Sequence, residues 1–175
     1  GHPTPWQDLI SFCNALNNTT TANLPKVLPT HLDVDQALWY IGLNNILVNV
    51  DSYLGTGNDY YAYHDDRHDQ FVILAWDLNT AFGGYDWANL LGSNRHLMAI
   101  DYSGGSTYAR PMIEKLLAVP EYKQRYLAHY RTMLDEFFDW KILGPLATKY
   151  HNLLAPDVKL DTKKLEPNLR LPFGE

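Results

Sequence analysis

The sequence lacks the features that mark disulfide-stabilised, membrane-spanning and nucleic-acid-binding proteins. Its 175 residues contain one cysteine, Cys13, which excludes a disulfide within the chain and a zinc site built from several cysteines. No apolar run reaches the roughly 18–20 residues that a transmembrane helix needs. For this reason no membrane span is expected. The net charge is −6 and lysine and arginine form no cluster, so nucleic acid is not expected as a partner.

The composition is that of a folded domain with an unusual number of aromatic rings. Hydrophobic residues make up 46% of the chain and charged residues 19%, which is enough apolar material for a core. The chain has 12 tyrosines and 5 tryptophans, and we expect some of these rings to stay exposed. We predict one partial domain over residues 1–155, followed by an extended, proline-punctuated tail over residues 156–175.

Helix-start signals and apolar spacing predict a mostly helical α+β fold. Pro5 follows a threonine that can cap a helix, and Asp33 with Gln36 forms a capping-box pattern. Cys13 has the spacing of a buried residue on the first helix, and residues 17–30 are predicted to be a loop. We predict helices over residues 5–16, 34–49, 111–119, 120–138 and 140–154.

Two strand signals, residues 60–63 and 71–74, predict a β-hairpin. The segment between them contains His64, His68 and three aspartates. We interpret it as a solvated hairpin tip, since loops are usually polar and exposed. The alternative is a metal-dependent hydrolase, which would need three converging protein ligands for zinc.

Two acids follow apolar segments at points where the backbone must turn. Asp51 follows the second long helix, Asp77 follows the second strand, and Asn58 lies in the loop between them. Mg²⁺ prefers oxygen ligands from one or two carboxylates or amides. Phosphoryl transfer needs such a cation and a carboxylate that orients the acceptor hydroxyl. Asp51 would be the base, and Asp77 and Asn58 the metal ligands. By spacing alone, helix caps and turn formers are the alternative.

Five segments carry a recognisable pattern. They read NVDS at 49–52, GNDYYAY at 57–63, WDLNTAFG at 76–83, RPMI at 110–113 and VPEY at 119–122. With the apolar helix that precedes the first of them, these segments resemble the spore-coat protein H (CotH) family of atypical, secreted kinases. The segment at 76–83 is the most specific, and the resemblance covers most of the chain.

The resemblance implies a reduced protein-kinase-like fold in which this chain is the C-terminal lobe and the hairpin carries the metal-site acid. It implies transfer of phosphate from ATP, with Mg²⁺ or Mn²⁺, to Ser or Thr of a secreted or spore-coat protein. The catalytic aspartate of the family falls on Asp51, its metal aspartate on Asp77 and its loop asparagine on Asn58. Asn79 stands where relatives often carry an aspartate, so a possible metal-shell charge is lost here. The resemblance also implies a secreted, cell-surface or spore-coat location.

The sequence departs from a complete kinase before Asp51. A kinase holds the ATP phosphates with a lysine paired to a glutamate, under a strand-rich lobe. Here Lys26 is the one lysine that precedes Asp51, and no strand signal accompanies it. We therefore expect an N-terminal lobe of the same protein to be a partner of this chain, and weak ATP affinity without it. The alternative function is a non-catalytic secreted module that binds a protein or glycan surface through its exposed aromatic rings.

Overall fold

The structure is a computed structural model that describes residues 4–84, 98–104 and 109–161. The composition of residues 85–105 indicates a surface or lid segment, and most of that segment lies outside the described residues. The fold is α+β and mostly helical, as predicted. The chain divides into two compact units, residues 1–130 and 131–175. In the described part of the chain, no helix has both the length and the apolar character needed to cross a membrane. The helices and strands are α1 (Pro5–Asn18), α2 (Leu24–Val27), α3 (Val34–Ile46), β1 (Tyr60–Asp65), β2 (Gln70–Ala75), α4 (Pro111–Ala118), α5 (Pro120–Glu136) and α6 (Trp140–Leu160).

Helix α1 starts at Pro5 as predicted, but its buried face differs from the expected one. Phe12, Ala15 and Leu16 are buried, whereas Cys13 is exposed, so the prediction that Cys13 is a core residue is wrong. The ring of Phe12 stacks on Phe71 with the centroids 5.1 Å apart. This stack turns α1 so that Cys13, about 100° further round the helix, points to solvent.

The predicted loop over residues 17–30 contains two short helical elements. These are α2 and a 3-10 turn at Leu28–Thr30. Leu24 and Leu28 are fully buried. Burial of these two side chains stabilises turns that are too short to be stable on local propensity alone.

Helix α3 is the central helix of the first unit. The carboxylate of Asp33 caps it by accepting a hydrogen bond from the backbone N–H of Gln36 at 3.0 Å, which is one half of the predicted capping box. The Gln36 amide bonds both backbone groups of Ile73, at 2.6 and 2.9 Å, and so ties α3 to β2. The helix is buried on most sides and ends at Ile46, three residues before the predicted end.

The β-hairpin is confirmed, and its register determines which side chains share a face. Strands β1 and β2 pair antiparallel, with Tyr60 opposite Ala75 and Asp65 opposite Gln70. Phe71 and Ile73 face the core and are buried, whereas Tyr61 and Tyr63 lie on the outer face and are exposed. In the first unit α4 and the start of α5 complete the core; their buried residues are Met112, Ile113, Leu116, Tyr122 and Tyr126.

The second unit contains the end of α5 and all of α6. Helix α6 is continuous through Pro145 and Pro156 and ends at Leu160, whereas the sequence pattern predicted an end near Leu154 and an interruption at Gly144-Pro145. Residues 162–175 lie outside the described residues. The division at residue 155 between domain and tail stays a prediction.

Candidate functional site

Buried asparagines hold the loop that follows α3. Asn49 Nδ2 donates to Asn44 Oδ1 at 2.9 Å, and Asn44 Nδ2 donates to the backbone oxygen of Tyr40 at 3.0 Å. The backbone oxygen of Asn49 accepts from Ser52 Oγ at 2.6 Å. The buried amides thus make the hydrogen bonds that burial requires, and they fix the backbone on the N-terminal side of Asp51.

The same loop is strained and tightly closed. Val48 has φ 49°, a conformation that a β-branched residue rarely adopts and that costs about 1–3 kcal/mol. Backbone N–H groups of Thr56 and Gly57 donate to the oxygens of Val50 and Ser52 at 2.8 and 2.9 Å. Strain of this kind persists where surrounding contacts hold the backbone in the unfavourable conformation, and such strain is common at functional sites.

The side chain of Arg110 packs against this loop. Its side chain is buried, with 8% of the residue exposed, and its guanidinium donates to the backbone oxygen of Gly55. The guanidinium carbon lies 5.8 Å from the centroid of the Tyr53 ring, in cation–π geometry. A side chain at Gly57 would meet Arg110 at 3.2 Å, and one at Gly55 would meet the oxygen of Val50 at 2.1 Å. Both glycines therefore permit close approaches that another residue would block.

Asp51 lies inside this loop and is half-buried. Its Oδ1 accepts a hydrogen bond from Thr56 Oγ1 at 2.8 Å and from Asn58 Nδ2 at 3.4 Å. Two of the predicted site residues, Asp51 and Asn58, are thus in direct contact. These two donors orient the carboxylate and leave the Asn58 amide oxygen available for another partner.

Asp77 lies just beyond the end of β2 and is exposed. Its φ of 43° is in the left-handed region, which aspartate tolerates better than most residues. The backbone N–H of Trp76 donates to the oxygen of Asp59 at 3.1 Å, so the hairpin register continues one step past Tyr60 and Ala75. The strand pairing itself ends at Tyr60 and Ala75.

Backbone hydrogen bonds join the segment after Asp77 to the loop before Asp51. The N–H of Phe82 donates to the oxygen of Leu47, and the N–H of Gly83 donates to the oxygen of Val48 at 3.2 Å. Phe82 has φ 61° and Gly83 has φ 70°, which turn the chain back toward the loop. Backbone hydrogen bonds therefore connect the two segments that carry the acids both before Asp77, at Trp76, and after it, at Phe82 and Gly83.

Asp59 shows that the acids share one electrostatic environment. Burial, followed by the charges of Asp51 and Asp77, raises the pKa of the Asp59 carboxyl above its usual range. A hydrogen bond with the Asp51 carboxylate acts in the same direction. Sequence reasoning missed Asp59 as a site residue. Its position at the start of a strand, next to Asn58 and facing the end of β2, was the available signal.

Asn79 is less integrated into the site than the other predicted residues. It is exposed within the 3-10 turn Leu78–Thr80, directly after Asp77. Its neighbour Thr80 contacts the buried network through Thr80 Oγ1 and Asn49 Oδ1, 3.5 Å apart. Asn79 is therefore close to the site in sequence, and the turn that contains it is anchored, but the role of its amide stays a prediction.

The donor chemistry of the site suits a hard divalent cation. Asp51, Asp59, Asp77 and the Asn58 amide offer oxygen ligands, which Mg²⁺ and Mn²⁺ prefer. Among the described residues, however, no group of three or more His, Cys, Asp or Glu side chains already has the arrangement to hold a metal ion. The described residues therefore offer oxygen ligand types without a preassembled metal cage.

The histidines of the hairpin tip pair with acids of the same tip. His68 Nδ1 lies 2.6 Å from Asp65 Oδ2, and the two ring nitrogens of His64 lie 3.3 and 3.2 Å from Asp66 and Asp69. Hydrogen bonds from Arg67 and His68 hold the pKa of the Asp65 carboxyl below its usual range. These contacts within the tip favour the solvated hairpin tip over the hydrolase hypothesis.

Comparisons with known proteins agree with the sequence pattern. Over 139 residues the chain is 29% identical to "Invasin CotH7" of Rhizopus delemar, and over 144 residues it is 26% identical to "Spore coat protein homolog 1" of the same organism. Each alignment covers 78% of this chain and 22% of the relative, so the chain spans about a fifth of the length of these curated relatives. Residues 1–168 match the family described as CotH kinase protein. The chain therefore belongs to the CotH kinase protein family.

Proposed function

We propose that this chain is the C-terminal, kinase-like lobe of an enzyme that transfers phosphate from ATP to Ser or Thr of a protein, with Mg²⁺ or Mn²⁺. The observation that carries the proposal is the pair of backbone hydrogen bonds from Phe82 and Gly83 to Leu47 and Val48. These bonds hold the Asp77 segment against the Asp51 loop, as a shared phosphate site requires. Membership of a family described as kinase supports the reaction class.

Asp51 is the proposed general base. As the substrate hydroxyl oxygen forms its bond to the γ-phosphorus, the hydroxyl proton passes to the Asp51 carboxylate. The bond from phosphorus to the bridging oxygen breaks, and ADP keeps the electron pair. The hydrogen bonds from Thr56 and Asn58 to Asp51 Oδ1 orient the carboxylate that accepts the proton.

Asp77 is the proposed main metal ligand, with Asn58 as the second. A bound cation would neutralise phosphate oxygens in the transition state. Asp59 adds a third carboxyl group to the local field. The exposed position of Asp77 allows its carboxylate to reach a cation without displacing core side chains.

The rest of the longer protein is proposed to complete the nucleotide site. Lys26 lies on α2 and is the one lysine before Asp51 in this chain. A phosphate-binding lysine and its glutamate partner would therefore come from an N-terminal lobe of the same protein. The names of the relatives, an invasin and a spore coat protein homolog, support a cell-surface or spore-coat location for the intact protein.

The test uses the intact protein and labelled ATP. Asp77→Ala should abolish cation-dependent transfer, and Asp51→Asn should reduce kcat by about 10²–10⁴-fold because the general base is lost. Asp66→Asn is the matched control, since this aspartate belongs to the exposed hairpin tip. Transfer that survives Asp77→Ala at the level of the control would remove the proposal.

A second candidate function is a non-catalytic binding module. Tyr61, Tyr63 and Trp76 are exposed, and the rings of Tyr61 and Trp76 pack edge to face at 5.4 Å. A groove of about 560 Å³ is lined by Tyr63 and by residues that include Trp6 and Ala62. Such a surface suits a protein or glycan ligand. Binding by this route should survive both chelation and the two aspartate substitutions, whereas loss of binding on chelation would contradict it.

A further inference from the structure

Helix α6 has an exposed apolar surface that the proposed catalytic function does not use. Trp140 is 71% exposed although its ring packs against the backbone of Gly144, where an added Cβ would lie 3.0 Å from the ring. The other large apolar side chains of the helix that are exposed are Ile142, Leu146, Tyr150, Leu153, Leu154, Val158 and Leu160. Apolar residues this numerous on one exposed helix indicate a binding surface.

The large apolar residues of α6 share one side of the helix, and its three lysines lie outside that side. At about 3.6 residues per turn, all of its large apolar side chains fall within an arc of roughly 160°. Lys141, Lys149 and Lys159 lie on the remaining arc. The apolar arc is wider than the narrow seam of a two-stranded coiled coil, which favours a continuous apolar partner over a second helix.

The charge of α6 is opposite to that of the rest of the chain. Its residues Trp140–Leu160 contain three lysines and one aspartate, Asp157, which is a net charge of +2. The whole chain has a net charge of −6, so the remaining residues sum to −8. A cationic, amphipathic helix on an acidic protein is complementary to an anionic apolar interface.

We propose that α6 is a lipid-binding helix that lies in the interface of an anionic membrane without crossing it. The contact comprises the first four turns, from Trp140 to Leu154, because Asp157 lies within the apolar arc near the C-terminal end. Trp140 and Tyr150 carry rings of the amphipathic type that concentrates at the boundary between headgroups and acyl chains. Lys141 and Lys149 reach the lipid phosphates from the polar side.

The experiment measures co-sedimentation of the 175-residue chain with phosphatidylcholine vesicles, with and without phosphatidylserine. We expect binding that needs phosphatidylserine and weakens with salt. Lys141→Glu with Lys149→Glu should weaken binding by about fivefold or more per lysine. Leu146→Asp with Leu153→Asp should weaken it by roughly tenfold or more per leucine. Both leucines are exposed, so the fold, checked by circular dichroism, should be unchanged.

Matched controls come from α5, where Lys123→Glu and Leu127→Asp change exposed residues outside α6 and should leave vesicle binding unchanged. Absence of binding to phosphatidylserine vesicles would overturn the proposal, as would binding that the lysine substitutions do not alter. Sedimentation velocity provides the other decisive outcome. A dimer that the two leucine substitutions dissociate, in a chain that binds no vesicles, would show that a second copy covers this helix face.

Discussion

Replacing Arg110 by methionine should destabilise the loop that holds Asp51. The guanidinium donates to the oxygen of Gly55 in a buried position and lies over the Tyr53 ring. Losing a hydrogen bond from a charged group costs about 1.5–3 kcal/mol, in part because the acceptor is left unsatisfied. Losing the cation–π contact costs about 0.5–1 kcal/mol. Methionine retains most of the apolar volume, so we expect a total loss of roughly 2–4 kcal/mol.

The assay is urea unfolding followed by fluorescence and circular dichroism, with the free energy of unfolding obtained from the midpoint and slope. Arg131→Met is the control. This side chain is 84% exposed and pairs with Asp135 one turn away at 3.4 Å, which stabilises by less than about 0.5 kcal/mol. Arg110→Lys should fall between the two, since lysine keeps the charge but lacks the planar fork of donors.

Hydrogen exchange provides a local reading of the same prediction. The amides of Thr56 and Gly57 are bonded within the loop, so their protection should fall in Arg110→Met more than the global stability does. The reasoning is refuted if Arg110→Met unfolds within about 0.5 kcal/mol of Arg131→Met and exchange at these amides is unchanged.

Three further predictions follow from the site and its supports. Asp59→Asn should stabilise the protein at neutral pH, because the folded state raises the pKa of the Asp59 carboxyl. The stabilising contribution of this carboxyl is fully present below its unfolded pKa, about 3.9, and is lost as the pH rises through the folded pKa. The advantage of the variant should therefore shrink on acidification, and a pH-independent difference in unfolding free energy would contradict this cause. Gly55→Ala should cost about 2 kcal/mol or more, because its Cβ would lie 2.1 Å from a backbone oxygen; thermal melts should show a smaller effect for Gly84→Ala, where the nearest atom is 3.3 Å away. Asn45→Leu should cost about 2–4 kcal/mol in urea, because it leaves the Ala99 oxygen and the Tyr130 hydroxyl without their bonds of 2.8 and 3.0 Å; an effect below about 1 kcal/mol would show that these contacts contribute little.

The proposed function places different demands on the two acids. Asp51 is oriented by two side-chain donors and by a loop with several cross-bonds, as a base that must meet a hydroxyl requires. Asp77 is exposed and is held through its backbone neighbours, as suits a ligand that moves onto a cation. Substitution of Asp51, the proposed base, should therefore lower kcat, whereas substitution of Asp77, the proposed metal ligand, should lower metal affinity.

Local patterns were sufficient for most of the elements. The capping pair Asp33 and Gln36, the prolines at helix starts and the alternating strands act over a few residues, so helix starts and the hairpin agree with prediction. Helix ends were less predictable. α3 stops at Ile46 because the chain must turn at Val48 to make the buried asparagine network, and α6 continues through Pro156.

Local chemistry left Asp51, Asn58 and Asp77 open between a metal site and helix caps or turn formers, and the resemblance to the CotH family favoured the site. Tertiary structure decided that the segments carrying these residues lie side by side, since the bonds from Phe82 and Gly83 to Leu47 and Val48 join positions 35 residues apart (82 − 47 and 83 − 48). It also decided that Cys13 faces solvent, through the stacking of Phe12 on a distant ring, and that Asp59 and Arg110 belong to the site. Local patterns extend over a turn or two of backbone, whereas burial and electrostatic fields depend on neighbours that only the folded chain brings together.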